Sequence, residues 1–248
     1  MIKLRITQDE RMMLESQYTE EILLGFDRAV NETVTWLHSP EAKEFFFDQR
    51  DQLNTFFRES GIEERWDKII EDRAMRGVDV TKSIFDYARK SNMENHLVPY
   101  TDTEHRALNR LCDYNYELIR NVTSDEITAI RRKLVQDYAE GNYPLRTHLK
   151  ELELEPINGF SPSARAEMIA RTESARTLNV STLETYRNDG VTMVELYGCD
   201  PKCDECAEYA KPTPIDDALD CELPHPNCTG VWIPVSNNNN SNDGIQPL

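Results

Sequence analysis

Between Asp9 and Asn121 apolar side chains return every three or four residues almost without interruption, the step of α-helices packed along one face. The clearest run is Leu14, Tyr18, Ile22, Phe26, Val30, Val34 and Leu37, a single stripe on one long helix. Ser39-Pro40 supplies a stop and a restart. Phe45, Phe46, Phe47, Phe56 and Phe57 give a second helix a heavily buried side, more naturally core than cofactor box. Gly61 and Gly77 bracket a third helix around Trp66, Ile69 and Ile70, and a shorter one holds Ile84, Phe85 and Ala88. After a loop at 92–100, Thr101 can cap a helix on which Leu108, Leu111, Asn115, Leu118 and Val122 share a face. Thr123-x-x-Glu126 has the form of a capping box for one helix more, with Gly141 as its terminator. Cys112 falls on an apolar side and reads as a core thiol.

The texture changes near Glu155. Pro156, Gly159 and Pro162 form a hinge that divides the chain into a helical body (1–155), a smaller module (156–235) and a polar tail (236–248), expected to be flexible. Ser161-Pro162 is a natural helix opening, with a hydroxyl at the cap and proline in the first turn. The helix it opens runs toward Asn188-Asp189-Gly190, with a break expected near Asn179. Short strands are expected at 191–197 and 231–235. The fold class is therefore mainly α: an elongated helical N-terminal body, then a small α+β C-terminal module with a two-stranded element and a Cys/His knuckle.

The formal net charge is −17, and it is not confined to one end: from Ser161 onward 14 acidic residues stand against 6 basic ones. A nucleic acid is held chiefly by Lys and Arg neutralising phosphates, so direct nucleic-acid binding is not expected. A basic protein surface is the complementary partner. No stretch approaches the ~20 apolar residues of a membrane span, and no membrane partner is expected. Met1-Ile2-Lys3-Leu4-Arg5 passes into Gln8-Asp9-Glu10-Arg11 without an apolar core of the kind a secretory signal carries, so synthesis in a reducing cytosol is expected.

Five of the six cysteines lie between Cys199 and Cys228, and in a reducing compartment such a cluster reads as metal-binding before it reads as a disulfide frame. Cys203-x-x-Cys206 can offer two thiolates to one tetrahedral ion from a tight turn. His225-x-x-Cys228 repeats the spacing with one imidazole, and together they would form a Cys3His site for one structural zinc. Such an ion would staple a segment too short and polar to hold itself by burial. Cys199 and Cys221 are close enough in sequence to substitute as ligands, and disulfide pairing is the alternative. A redox role for Cys203 and Cys206 is opposed by the intervening Asp204 and Glu205, which raise rather than lower thiol pKa values. No phosphate loop, nucleophile elbow or His-Glu-x-x-His stands in the chain, and no catalytic residues are expected. A zinc- or thiol-dependent enzyme using the cysteine cluster is the alternative.

The run Ser163-Ala164-Arg165-Ala166-Glu167-Met168-Ile169-Ala170-Arg171-Thr172-Glu173 resembles the signature helix of phage head morphogenesis proteins, the Mu F-type minor head proteins. The rest of that pattern follows in order: a helix ending at Tyr186 and Gly190, Asp200, Cys203-x-x-Cys206, His225-Pro226-Asn227-Cys228 and a closing Ile233-Pro234-Val235. The resemblance spans roughly residues 161–235. It departs after Cys228, where Thr229-Gly230 stands in place of the usual Arg-Cys. It implies a minor capsid protein of a tailed-phage virion, made in the host cytoplasm and placed near the portal or inner capsid, with the portal protein or the major head protein as partner. Arg165, Arg171, Glu173 and Arg176 on that helix are the expected partner-binding surface, set against the plainer reading of solvated intrahelical pairs.

Overall fold

A computed structural model of the chain describes residues 7–40, 57–92, 98–140, 161–200 and 202–235. Four long helices, α1 (Gln8–Leu37), α2 (Ile62–Asn92), α3 (Asp102–Glu140) and α4 (Pro162–Asn188), precede β1 (Met193–Tyr197), α5 (Asp204–Ala207), β2 (Thr213–Pro214), α6 (Ile215–Cys221) and β3 (Val231–Pro234). Mainly helical architecture with a small mixed module is thus what the chain adopts. The aromatic helix expected at Phe45–Phe56, Gly141, the hinge at Pro156 and Gly159 and the tail from 236 lie outside the described residues.

α1 starts where its sequence says it should. Thr7 and Glu10 close a capping box: the Glu10 amide donates to Thr7 Oγ1 at 3.3 Å and the Thr7 amide to Glu10 Oε2 at 2.7 Å. The stripe of Leu14, Tyr18, Ile22, Phe26 and Val30 is buried, and its four hydrocarbon side chains are each worth about 1.5–3 kcal/mol on leaving water. It faces α2 and α4, with a smaller contact to α3.

One glycine and one capping box take other roles than expected. α2 runs unbroken from Ile62 to Asn92, merging the two helices expected on either side of Gly77. Gly77 is a point of close approach: a Cβ there would lie 2.0 Å from Ile119 Cδ1 on α3. α3 likewise opens on the expected Thr101 cap, joined to Glu104 in both directions, but does not restart at Thr123. Thr123 and Glu126 are buried in mid-helix and receive Arg73 from α2, through a 3.1 Å bond to Thr123 Oγ1 and an ion pair with Glu126. Arg73 fits because α1 passes it with Gly25, where a Cβ would sit 2.2 Å from Arg73 Cδ. The local pattern of a cap is here a receptor for a buried guanidinium.

α4 is the element on which body and module meet. Ser161 caps it, Oγ accepting from the Ala164 amide at 3.2 Å, with proline in the first turn as expected. It packs against α1, α2 and α3 of the body and against α6 and β3 of the module. From Thr172 to Tyr186 nearly every residue is buried, many of them small and polar. Ser181 Oγ satisfies itself on the Phe85 carbonyl at 2.9 Å and Thr185 Oγ1 on the Ser181 carbonyl at 2.9 Å. The break expected near Asn179 does not occur: the helix runs on to Asn188, and the Asn179 side-chain amide donates out of it to the Gly230 carbonyl at 3.3 Å.

The module's sheet has three strands rather than two, all antiparallel, in the order β2-β1-β3. Leu196 faces Trp232 and Val194 faces Pro234 across β1 and β3; Met193 faces Pro214 across β1 and β2. Val194 and Leu196 point inward onto Leu183, Tyr186, Ile215, Leu219, Leu223 and Trp232, forming a core separate from those of the body. Among the described residues no helix is long and apolar enough to cross a membrane.

Candidate metal centre

Cys203 and Cys206 come from one tight turn at the start of α5. Cys203 occupies the cap position, and its sulfur accepts from the Cys206 amide at 3.5 Å, the arrangement that sets two thiolates at x-x spacing side by side. His225 and Cys228 come from the loop before β3. That loop doubles back at Asn227, whose backbone has φ 61°, a conformation asparagine tolerates better than most side chains.

The two arms converge. His225 Nε2 lies 3.3 Å from Cys203 Sγ and 3.1 Å from Cys206 Sγ, and the three ligand atoms all fall within 4.8 Å of one another. Cys228 stands outside that mutually close trio, with its sulfur 3.5 Å from Cys206 Sγ. Around a tetrahedral zinc, with bonds of about 2.0–2.3 Å, ligand atoms are separated by about 3.5–3.8 Å, so the cluster is slightly tighter than a filled site. The group of Cys203, Cys206 and His225 could hold a metal ion.

The outer contacts suit that use. His225 Nδ1 lies 2.7 Å from the Pro226 carbonyl; a proton on Nδ1 donating there leaves Nε2, the atom facing both sulfurs, as a free lone pair. The Gly230 amide donates to Cys228 Sγ at 3.4 Å. Cys206 and Cys228 are buried, whereas Cys203 and His225 are half-buried. Burial, then the hydrogen bonds with Cys228 and Cys203, hold the Cys206 thiol well above its ordinary range. A cation would have to displace that proton, so affinity should rise with pH.

Compared with protein-family models, with curated proteins and with solved structures, the chain matches none.

The two other cysteines of the cluster separate. Cys221 lies beside Tyr209, whose ring packs edge-on against Trp232 at 5.8 Å. Cys199 is half-buried against the module's core, near enough to Cys206 to add to the rise of its pKa. The departure at Thr229-Gly230 also has a physical counterpart. A Cβ at Gly230 would lie 2.8 Å from Leu196 Cγ, so this packing has no room for a larger residue.

The expected partner surface on α4 is largely turned inward. Glu173 is buried and accepts from Arg176 Nε at 3.1 Å; Arg176 continues to Glu222 at 3.2 Å, and Arg110 of α3 reaches the same carboxylate. Arg165 bonds Asp125 of α3 at 2.8 Å. Arg171, half-exposed, approaches Glu15 of α1 at 3.9 Å. Sequence reasoning missed Arg11, Asn179 and Glu222, whose partners lie dozens of residues away.

Proposed function

We propose that this chain is a minor head protein of a tailed phage, whose module holds one zinc through Cys203, Cys206, His225 and Cys228 and serves as a rigid handle for the portal protein or the major head protein. The observation that carries this reading is that separated parts of the family-like pattern meet. Thr172 of the signature helix accepts from the amide of Asn227, between the two ligands of the second arm, at 3.1 Å, and Glu173 connects through Arg176 to Glu222 just before that arm. A motif whose pieces form one mechanical unit is better explained by a shared fold than by chance order. The ion's contribution there is cross-linking: it replaces buried apolar area that the module lacks.

The test has two arms. In infected cells the protein sediments with heads; a protein found only as a free cytosolic species overturns the assembly reading. For the purified chain, elemental analysis gives about one zinc per chain, with thiols masked until a chelator is added.

A hydrolytic reading draws on the trio of mutually close ligands, since catalytic zinc keeps three protein ligands and an open position. On the structural-zinc reading, Cys228, whose sulfur lies 3.5 Å from Cys206 Sγ, moves in to close that position. Replacing Cys203 by serine separates the readings: loss of a measurable reaction in a folded chain favours an enzyme, a loosened module without any lost turnover favours the handle.

A further inference from the structure

The loop bearing Cys228 is gripped along its backbone by side chains of α1 and α4. Arg11 of α1 donates from Nη1 to the Thr229 carbonyl at 2.9 Å and from Nη2 to the Cys228 carbonyl at 3.2 Å. Its Nε is held by Glu15, one turn along, at 2.9 Å. From α4, Asn179 takes the Gly230 carbonyl and Thr172 the Asn227 amide. Three consecutive carbonyls and the amide just before them are thus fixed by α1 and α4.

We propose that metal binding at the cysteine/histidine cluster and docking of the first turns of α1 are one coupled equilibrium, with Arg11 as the positioning residue that links them. This rests on the metal-bearing reading of the cluster. A free loop must lose backbone freedom before Cys228 and His225 can present their ligand atoms together, and Arg11 removes that freedom at the same peptides. A bound ion fixes the loop in turn and holds the carbonyls where Arg11 reaches them. Glu15 neutralises the guanidinium, so the clasp brings hydrogen bonds without much repulsion toward a cation. Coupling of this kind is reciprocal: whatever factor Arg11 adds to metal affinity, metal adds to the docking of α1.

The probe is zinc alone, on the full chain. Affinity is measured by competition with a chromogenic chelator for wild type, Arg11→Ala and Arg11→Lys, with Arg28→Ala as control; Arg28 lies on the same helix in an exposed pair with Asp72. Arg11→Ala weakens zinc about tenfold or more, the scale of lost outer-shell support, Arg11→Lys recovers part of it, and Arg28→Ala leaves it unchanged. In wild type, zinc slows hydrogen exchange at the amides of residues 11–15 and leaves those of residues 22–30 as they were. Equal zinc affinity in wild type and Arg11→Ala overturns the coupling while the metal centre stands. A wild type that binds no zinc overturns both. Should Arg11→Ala fail to fold, the exchange measurement on wild type decides alone.

Discussion

In the body, Phe26, Trp36, Phe57 and Trp66 interlock with Ile130 and Leu134 between three helices, and even charge is carried inside, as Arg73 on Glu126 and Arg89 on Glu104. Among the described residues the module's core holds barely a dozen side chains, three of them lent by α4, and two of the dozen are Cys206 and Cys228. The body has apolar area to spare and can bear the cost of sinking ion pairs. The module has no such reserve, and its Cys203, Cys206 and His225 lie close enough together to hold a metal ion. Long helices stabilised by burial tolerate polar insertions that a small core must replace with a cross-link.

Cys206→Ser tests that division most severely. Structural zinc contributes on the order of 10 kcal/mol to small sites, so the variant should bind no zinc and lose the near-ultraviolet circular dichroism of Trp232. The far-ultraviolet helix signal, dominated by α1 to α4, should keep most of its amplitude. Loss of both signals together would mean that body and module are one cooperative unit.

Next in size is Glu126→Ala. Leaving Arg73 buried without its carboxylate should cost about 3–5 kcal/mol, read as a lower denaturant midpoint. Zinc affinity should be unaffected, since Glu126 pairs with Arg73 of α2, and its one link to α4 is the charge of Arg165 near that helix's start, away from the cysteine cluster. Replacing both partners by apolar residues of similar volume should recover most of the loss. A cost below about 1 kcal/mol for the single change would mean that the pair is hydrated.

These two sites also show what was legible in the chain. The stripe of α1, the caps at Thr101 and Ser161 and the knuckle spacings are local patterns, readable because one helical turn or one tight loop decides them. Thr123-x-x-Glu126 and Gly77 were misread because a cap and an arginine receptor share one local spelling, as do a helix stop and a close helix crossing. β2, two residues long, leaves no alternation to detect. Arg11, Asn179 and Glu222 act through partners far along the chain, and single-sequence periodicity carries no trace of such pairs.

Glu173 sharpens the comparison at the joint between the regions. Burial, only partly offset by Arg176, raises its carboxyl from 4.5 to about 7. A raised folded-state pKa means that the native chain binds a proton more readily than the unfolded one. The associated stability is complete below pH 4.5 and lost as pH rises through about 7. That interval corresponds to about 3 kcal/mol at most. Unfolding free energy of wild type should fall across it, and Glu173→Gln should flatten that part of the profile. An unchanged slope in the glutamine variant would assign the pH dependence to other groups.

The smallest expected effects come from adding one methyl group on each side of the molecule. Gly77→Ala meets Ile119 Cδ1, the free end of a flexible side chain, and alanine gains about 1 kcal/mol over glycine within a helix. Rotation of Ile119 relieves most of the overlap, so the net cost should be about 1 kcal/mol or less, and Ile119→Val in the same chain should remove it. Gly230→Ala meets Leu196 at Cγ, 2.8 Å away, with both terminal methyls at 3.0 Å. A branch point pinned opposite Trp232 in the sheet cannot swing aside, and no helix propensity compensates. The residue also donates to Cys228 Sγ, so displacement there should weaken zinc as well as stability. The same methyl should therefore cost more in the module than in the body, by about 1–2 kcal/mol in thermal or denaturant unfolding. Equal costs would mean that the module's core gives as readily as the helix crossing, and that its rigidity does not come from packing around the cysteines.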